Sequence, residues 1–226
     1  MELEPDYFIQ PDWPDKPWPI GKSECHWFPD AEKKDFQEVL QSLPLNPVYV
    51  EFGTFLGAGS TTAALEARLD MQALCFDNFK ITGELIQAVA DKCNKPGALP
   101  DNFQGSDFAA GVGTALQHCQ NNLWDYRGRV RLFEQDISHV TVDKLANSGV
   151  MPDCVLIDDH HEKSPFIKRL FRCRYRWPKA VIICDDYCKA WPGVVEGVSE
   201  AFKRGWYHDS EATMLGKRMI AFKRAR

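Results

Sequence analysis

Apolar positions along this chain fall into two periods, and the switches between them mark out its elements. From Pro29 onward, Phe36, Val39, Leu40 and Leu43 recur at the spacing of one helix face, and Pro44 and Pro47 close the run. VYVEFG (48–53) has the β-branched and aromatic content of a short strand, and QALCFD (72–77) reads as the next. Between them STTAALEARL (60–69) reads as a helix with Ala64, Leu65 and Leu69 on one side. RVRLFEQD (129–136), CVLIDD (154–159) and AVIICDD (180–186) supply three more strands, with a helix around Phe166 to Tyr175 before the last. A helix carrying Val194, Val198 and Phe202 follows, and WYHDSEATMLGKRMIAFKR (206–224) has the strand–turn–strand pattern of a closing hairpin.

This alternation predicts an α/β fold: a Rossmann-like, doubly wound, mostly parallel sheet with an antiparallel C-terminal hairpin strand. Two segments fall outside the rhythm. Residues 1–28 carry five prolines and three tryptophans, which predicts an extended arm, equally suited to cladding the core or covering a pocket. Residues 82–126 are polar and mostly helical in pattern, broken near Pro96 to Pro100, and too long for a simple crossover. They read as an insertion within a single domain spanning 29–226, a length that leaves little room for two domains.

Charge and cysteine usage remove several classes. A net charge of -5 gives no basic surface for nucleic acid or an acidic membrane. The basic clusters at Lys168 to Arg176 and Lys217 to Arg226 fit a solvated helix face and the flank of a strand. Eight cysteines form no C-x-x-C pair, and Cys75, Cys154 and Cys184 lie in apolar strand-like runs, as free thiols of a reducing compartment do. With no apolar N-terminal stretch, the expectation is a cytoplasmic protein without a membrane anchor.

The chemistry concentrates where strands end. VYVEFGTFLGAGSTT places Glu51, Gly53, Gly57 and Gly59 between a strand and a helix opened by Ser60 and Thr61. Glycines let the backbone turn tightly and approach a ligand, and the helix start offers unpaired N–H groups. No lysine stands where a P-loop needs one, and the G-x-x-x-G-x-G spacing is not the dinucleotide G-x-G-x-x-G. It is similar to the first motif of class I methyltransferases, E/D-x-G-x-x-x-G-x-[ST]. Asp77 ends the second strand where Rossmann-like folds bind ribose hydroxyls. Asp136 ends the third strand, with Ile137 beside it, and suits either an adenine contact or a helix N-cap.

Two more strands end in doubled aspartates, VLIDDHH and VIICDDY, and in a parallel sheet both open onto the edge that carries the glycine turn. Asp158, Asp185 and Asp186 can converge there on Mg²⁺ or another divalent cation, although paired aspartates also cap helices. Together with WPGV just after the last of them, these motifs resemble the macrocin O-methyltransferase and cephalosporin hydroxylase-like branch of class I methyltransferases, from about Val48 to Phe202. The resemblance implies an S-adenosylmethionine site built from Glu51, Gly53, Thr54, Phe55, Gly57 and Gly59, with Ser60, Asp77, Asn78, Asp136 and Ile137 completing it. It implies metal ligation by Asp158, Asp185 and Asp186, and it makes His161, with Asp158, the candidate catalytic base. Lys179 and Ala180 depart from the Gly-Gly usual before the branch's fifth strand.

The expectation is therefore a metal-assisted O-methyltransferase acting on a small-molecule hydroxyl of a sugar, polyol or phenol, with homo-oligomerisation left open. Its competitors are a hydroxylase of the same branch, a binding module that lost its chemistry, and, more remotely, a nicotinamide dehydrogenase.

Overall fold

The computed structural model describes residues 3, 7–21, 28, 30–82 and 106–223. The helix start at Pro29, the break near Pro96 to Pro100, and Cys25, Trp27 and Cys93 lie outside the described residues.

Seven strands form one sheet: β1 (Val48–Phe52), β2 (Gln72–Asp77), β3 (Val130–Glu134), β4 (Cys154–Ile157), β5 (Val181–Cys184), β6 (Ala212–Leu215) and β7 (Met219–Phe222). Their order is β3-β2-β1-β4-β5-β7-β6. The first five are parallel, β7 runs antiparallel to β5, and β6 antiparallel to β7, as the expected closing hairpin requires. The order reverses between β1 and β4, which puts a topological switch point at the glycine turn.

Alternation along each strand sends side chains to two separate cores. Tyr49 packs on one face with α1 (Asp30–Gln41), α2 (Ser60–Ala67) and α3 (Ala115–Asn122), through Phe36, Leu40, Leu65 and Cys119. Val50 and Phe52 pack on the other with α4 (His139–Asn147), α5 (Lys163–Arg176) and α6 (Pro192–Lys203), through Val142, Leu170 and Val198. Local chemistry sets the helix starts. Thr114 and Gln117 cap α3 reciprocally, Ser138 and Thr141 do the same for α4, and Pro192 opens α6.

Three expectations are corrected. Leu69 does not share the helix face with Ala64 and Leu65: α2 stops at Ala67 and Leu69 is 84% exposed. Arg68 causes the stop, because its guanidinium leaves the helix to bond the carbonyls of Leu43 and Pro44 and the Asp70 carboxylate. The third strand ends at Glu134, two residues short of Asp136. The basic cluster on α5 is not wholly a solvated face either. Arg169 is buried, lies over the Phe52 ring and pairs with Asp159.

The N-terminal arm wraps the β3 edge. Phe8 is buried against Phe76 and Phe133 on one face, and the Ile9 carbonyl accepts from Glu134 N at 2.9 Å at the edge itself. On the other face Trp18 donates to Gln120 Oε1, and Asn121 of α3 bonds the arm's backbone. Among the described residues no helix is long and apolar enough to cross a membrane.

Candidate active site

Strand register puts the candidate residues level with one another. Phe52 pairs with Phe76 and with Ile157, and Ile157 pairs with Cys184. The next residues, Gly53, Asp77, Asp158 and Asp185, therefore lie along one edge, Asp77 as the last residue of β2.

Gly53 joins the two halves of that edge. Its φ is +96°, and a Cβ there would overlap the Asp158 carbonyl oxygen and stand 2.9 Å from Asp159 N, so only glycine lets the turn lie against the loop after β4. Phe55 and Phe79 also take positive φ, and both donate their N–H to Asp77, at 2.9 and 2.8 Å. Burial raises the Asp77 pKa against those bonds. A carboxylate so desolvated, with acceptor capacity left on both oxygens, suits the two hydroxyl donors of a ribose.

Glu51 is tied to the helix that follows it. It is fully buried on the α2 face, where Ser60 donates to one oxygen and Thr61 Oγ1 to the other at 2.6 Å. Burial pushes its pKa up to about 7 against the pull of those hydroxyls. It thus anchors the first turn of α2 from behind the glycines, and Gly57 packs against Leu123 and Cys119. On the far side Asn78 and Lys80 both bond Asp136, which is exposed, while Ser138 takes the cap of α4. The Ile137 carbonyl lies 3.4 Å from His160 Nε2.

The second cluster gathers Asp158, His161 and Asp186, whose ligating atoms all lie within 4.8 Å of one another. His161 Nε2 is 2.7 Å from Asp186 Oδ2 and 3.9 Å from Asp158 Oδ1. Asp185 is not part of this group: its Oδ1 turns back to accept from Asp186 N at 2.6 Å. It is nonetheless felt there. Burial, then the charges of Asp185 and Asp186, push Asp158 well above the ordinary carboxylate range, and burial with the charge of Asp186 raises Asp185 to about 7. Asp186 goes the other way, because hydrogen bonds and charge from His161 and Arg218 outweigh its burial.

Three contributions were not read from the sequence. Trp191 stacks on His161, with ring centroids 4.0 Å apart. Gly193 lets the start of α6 press on the same loop, since a Cβ there would overlap the His161 carbonyl and lie 2.7 Å from Lys163 N. Arg218, just before β7, pairs with Asp186. The WPGV motif carried a signal for the first two. Arg218 carried none, as a basic residue beside a strand.

No family model matches the sequence, and no curated protein does either. Solved structures do share its fold. The O-methyltransferase NovP superposes with a TM-score of 0.57 at 15% identity, covering 87% of this chain and 80% of its own. CalS11, a TDP-rhamnose 3′-O-methyltransferase of calicheamicin biosynthesis, gives 0.51 at 17% identity, covering 86% and 77%. A Staphylococcus aureus chain provisionally described as a caffeoyl-CoA O-methyltransferase gives 0.53 at 12% identity, covering 89% and 87%. The fold is the Rossmann-like one of these methyltransferases, with its seven-stranded mixed sheet.

Proposed function

We propose that the protein is an S-adenosylmethionine-dependent methyltransferase that acts, with a divalent cation, on a hydroxyl group of a small molecule. The observation that carries this is the meeting, at one sheet edge, of the Gly53–Asp77 half and the Asp158–His161–Asp186 half. The macrocin-like branch rests on the sequence motifs alone. A sugar hydroxyl is the acceptor class we favour, the class named for the CalS11 fold neighbour.

When bound, S-adenosylmethionine supplies an electrophilic methyl on a sulfonium, and a divalent cation supplies positive charge that favours the acceptor's alkoxide. The chain's own residues do the rest. Asp77 and the turn from Gly53 to Gly59 would hold the cofactor, with Glu51, Ser60 and Thr61 keeping the α2 start rigid behind them. Asn78 and Asp136, which bond each other, and Ile137 would contact the adenine. Asp158 and Asp186 offer hard oxygen donors for the cation, a number that suits an ion completing its shell with water and substrate oxygens. Asp185 adds charge from behind.

His161 is the third donor of the cluster, yet it is built as a base. Asp186 accepts from its Nε2, and Trp191 fixes its plane. With Nε2–H committed, Nδ1 is the nitrogen left to take the acceptor's proton. Aligning donor and acceptor and removing that proton are what methyl transfer asks of a protein.

Thermal unfolding with S-adenosylmethionine, S-adenosylhomocysteine and NAD, each alone, tests the cofactor. Both adenosyl ligands should raise the midpoint and NAD should not. A shift with NAD and none with the adenosyl ligands would overturn the reading.

A further inference from the structure

The acidic cluster already contains a cation. Arg218 donates its guanidinium to Asp186 Oδ1, while Oδ2 is left to His161. Its backbone takes part too, since the Arg218 carbonyl accepts from Tyr187 N at 2.6 Å. Between these two grips Asp186 holds a φ of 55°, a left-handed conformation that a non-glycine residue keeps only when its surroundings enforce it. Asp185 contributes the remaining restraint by accepting from Asp186 N.

Arg218 is itself held from α1. Asp35 accepts from Gly216 N at 2.8 Å and Glu32 from Lys217 N at 3.3 Å, so the turn of the β6–β7 hairpin is seated on that helix. Glu32 is 3% exposed, and its Oε2 has no hydrogen-bond partner. The charges of Asp186, Asp185 and Glu32 act on Arg218, and Arg218 in turn acts on Asp158. A guanidinium cannot lose its proton to relieve crowding, so this positive charge is permanent.

We propose that Arg218 is a positioning residue and the resident cation of the site: it fixes Asp186 by one oxygen, aims the other at His161, and keeps the cluster's affinity for a divalent ion low. This rests on the reading of Asp158 and Asp186 as cation-holding groups. A fixed charge in contact with one carboxylate repels an arriving ion and has already neutralised part of what would attract it. A merely structural arginine would act in the opposite direction, because losing it would disorder Asp186 and weaken binding.

Calorimetric titration of the purified protein with MnCl₂ separates the two. Arg218→Gln, which removes the charge, should bind Mn²⁺ about tenfold tighter than the wild type or better. Arg218→Lys, which keeps the charge but not the fork, should stay within a few-fold of it. If R218Q keeps its circular dichroism and binds Mn²⁺ equally or more weakly, or if R218K tightens as much as R218Q, the assignment falls while the metal reading stands. Uptake by R218Q but not by the wild type supports the resident cation and removes the metal reading for the native protein. No uptake by either removes both. Should R218Q fail to fold, Arg218→Met, which keeps the aliphatic stem and removes the charge, decides: it should tighten Mn²⁺ binding about tenfold. Unchanged or weaker binding in folded R218M overturns the assignment.

Discussion

At the scale of single residues, Glu51 carries an electrostatic cost that shows as pH dependence. Its pKa of about 7 in the fold lies above the ordinary 4.5, so the folded chain holds this proton more tightly than the unfolded one. Its contribution to stability is therefore fully present below about pH 4.5, lost as pH rises to about 7, and level beyond. Glu51→Gln removes that loss and should stabilise the chain above pH 7 by on the order of 3 kcal/mol. Urea midpoints of the two proteins should converge near pH 5 and separate near pH 8, and a constant difference would show that Glu51 ionises freely. The position of Glu51 was legible, since an acid ending a strand of Val, Tyr and Phe needs a reason to be there. Its partners were not, because Ser60 and Thr61 read only as the opening of a helix. Nor was its direction. Strand parity turns it into the α2 face rather than out over the edge, and parity becomes informative only once the helices on each face are known.

Among elements, the decisive contact is between α6 and the loop after β4. Trp191 supplies a flat face for His161, and Gly193 removes the side chain that would hold the two apart. Trp191→Ala should lower turnover about tenfold or more by freeing the His161 ring, with adenosylhomocysteine binding within a few-fold of the wild type. Trp191→Phe retains a ring to stack on and should recover most of the loss. Equal defects in both variants would mean that Trp191 serves the acceptor directly rather than His161. Most helices followed from periodicity because each buries one face, and the strands followed from short apolar runs because they bury both. What periodicity missed depended on pairs far apart in sequence. Arg68 reaches back 25 residues to end α2, and Arg218 lies 32 residues from the aspartate it holds. Asp185 shows the same limit in reverse. The doubled aspartate was legible, but which of the pair meets His161 depends on the turn at Asp186.

At the scale of the whole molecule, the sheet order and the arm belong to one arrangement. The switch point between β1 and β4 opens the site at the middle of the sheet, and the arm covers the β3 side. Phe8 is central to that cover, buried between the arm and the two aromatic rings of β2 and β3. Phe8→Ala should cost about 3 kcal/mol, read as a lowered urea midpoint, with adenosylhomocysteine affinity held within a few-fold. A large loss of that affinity at unchanged stability would instead make the arm part of the ligand site. The alternation of strand and helix made the sheet legible, but the arm's path was not. Proline and tryptophan content says that a segment is extended and sticky, without saying what it sticks to.

The hydrogen bond from Glu134 to Ile9 has a consequence for handling the protein. It engages a backbone donor of a terminal strand, and Gln10 reaches Arg131 beside it. A shortened form beginning at α1 would leave that ladder bare and ready to zip onto another molecule. Such a form should be harder to keep monodisperse at high concentration than the full chain, whatever becomes of its chemistry, which makes the first thirty residues a poor place to trim.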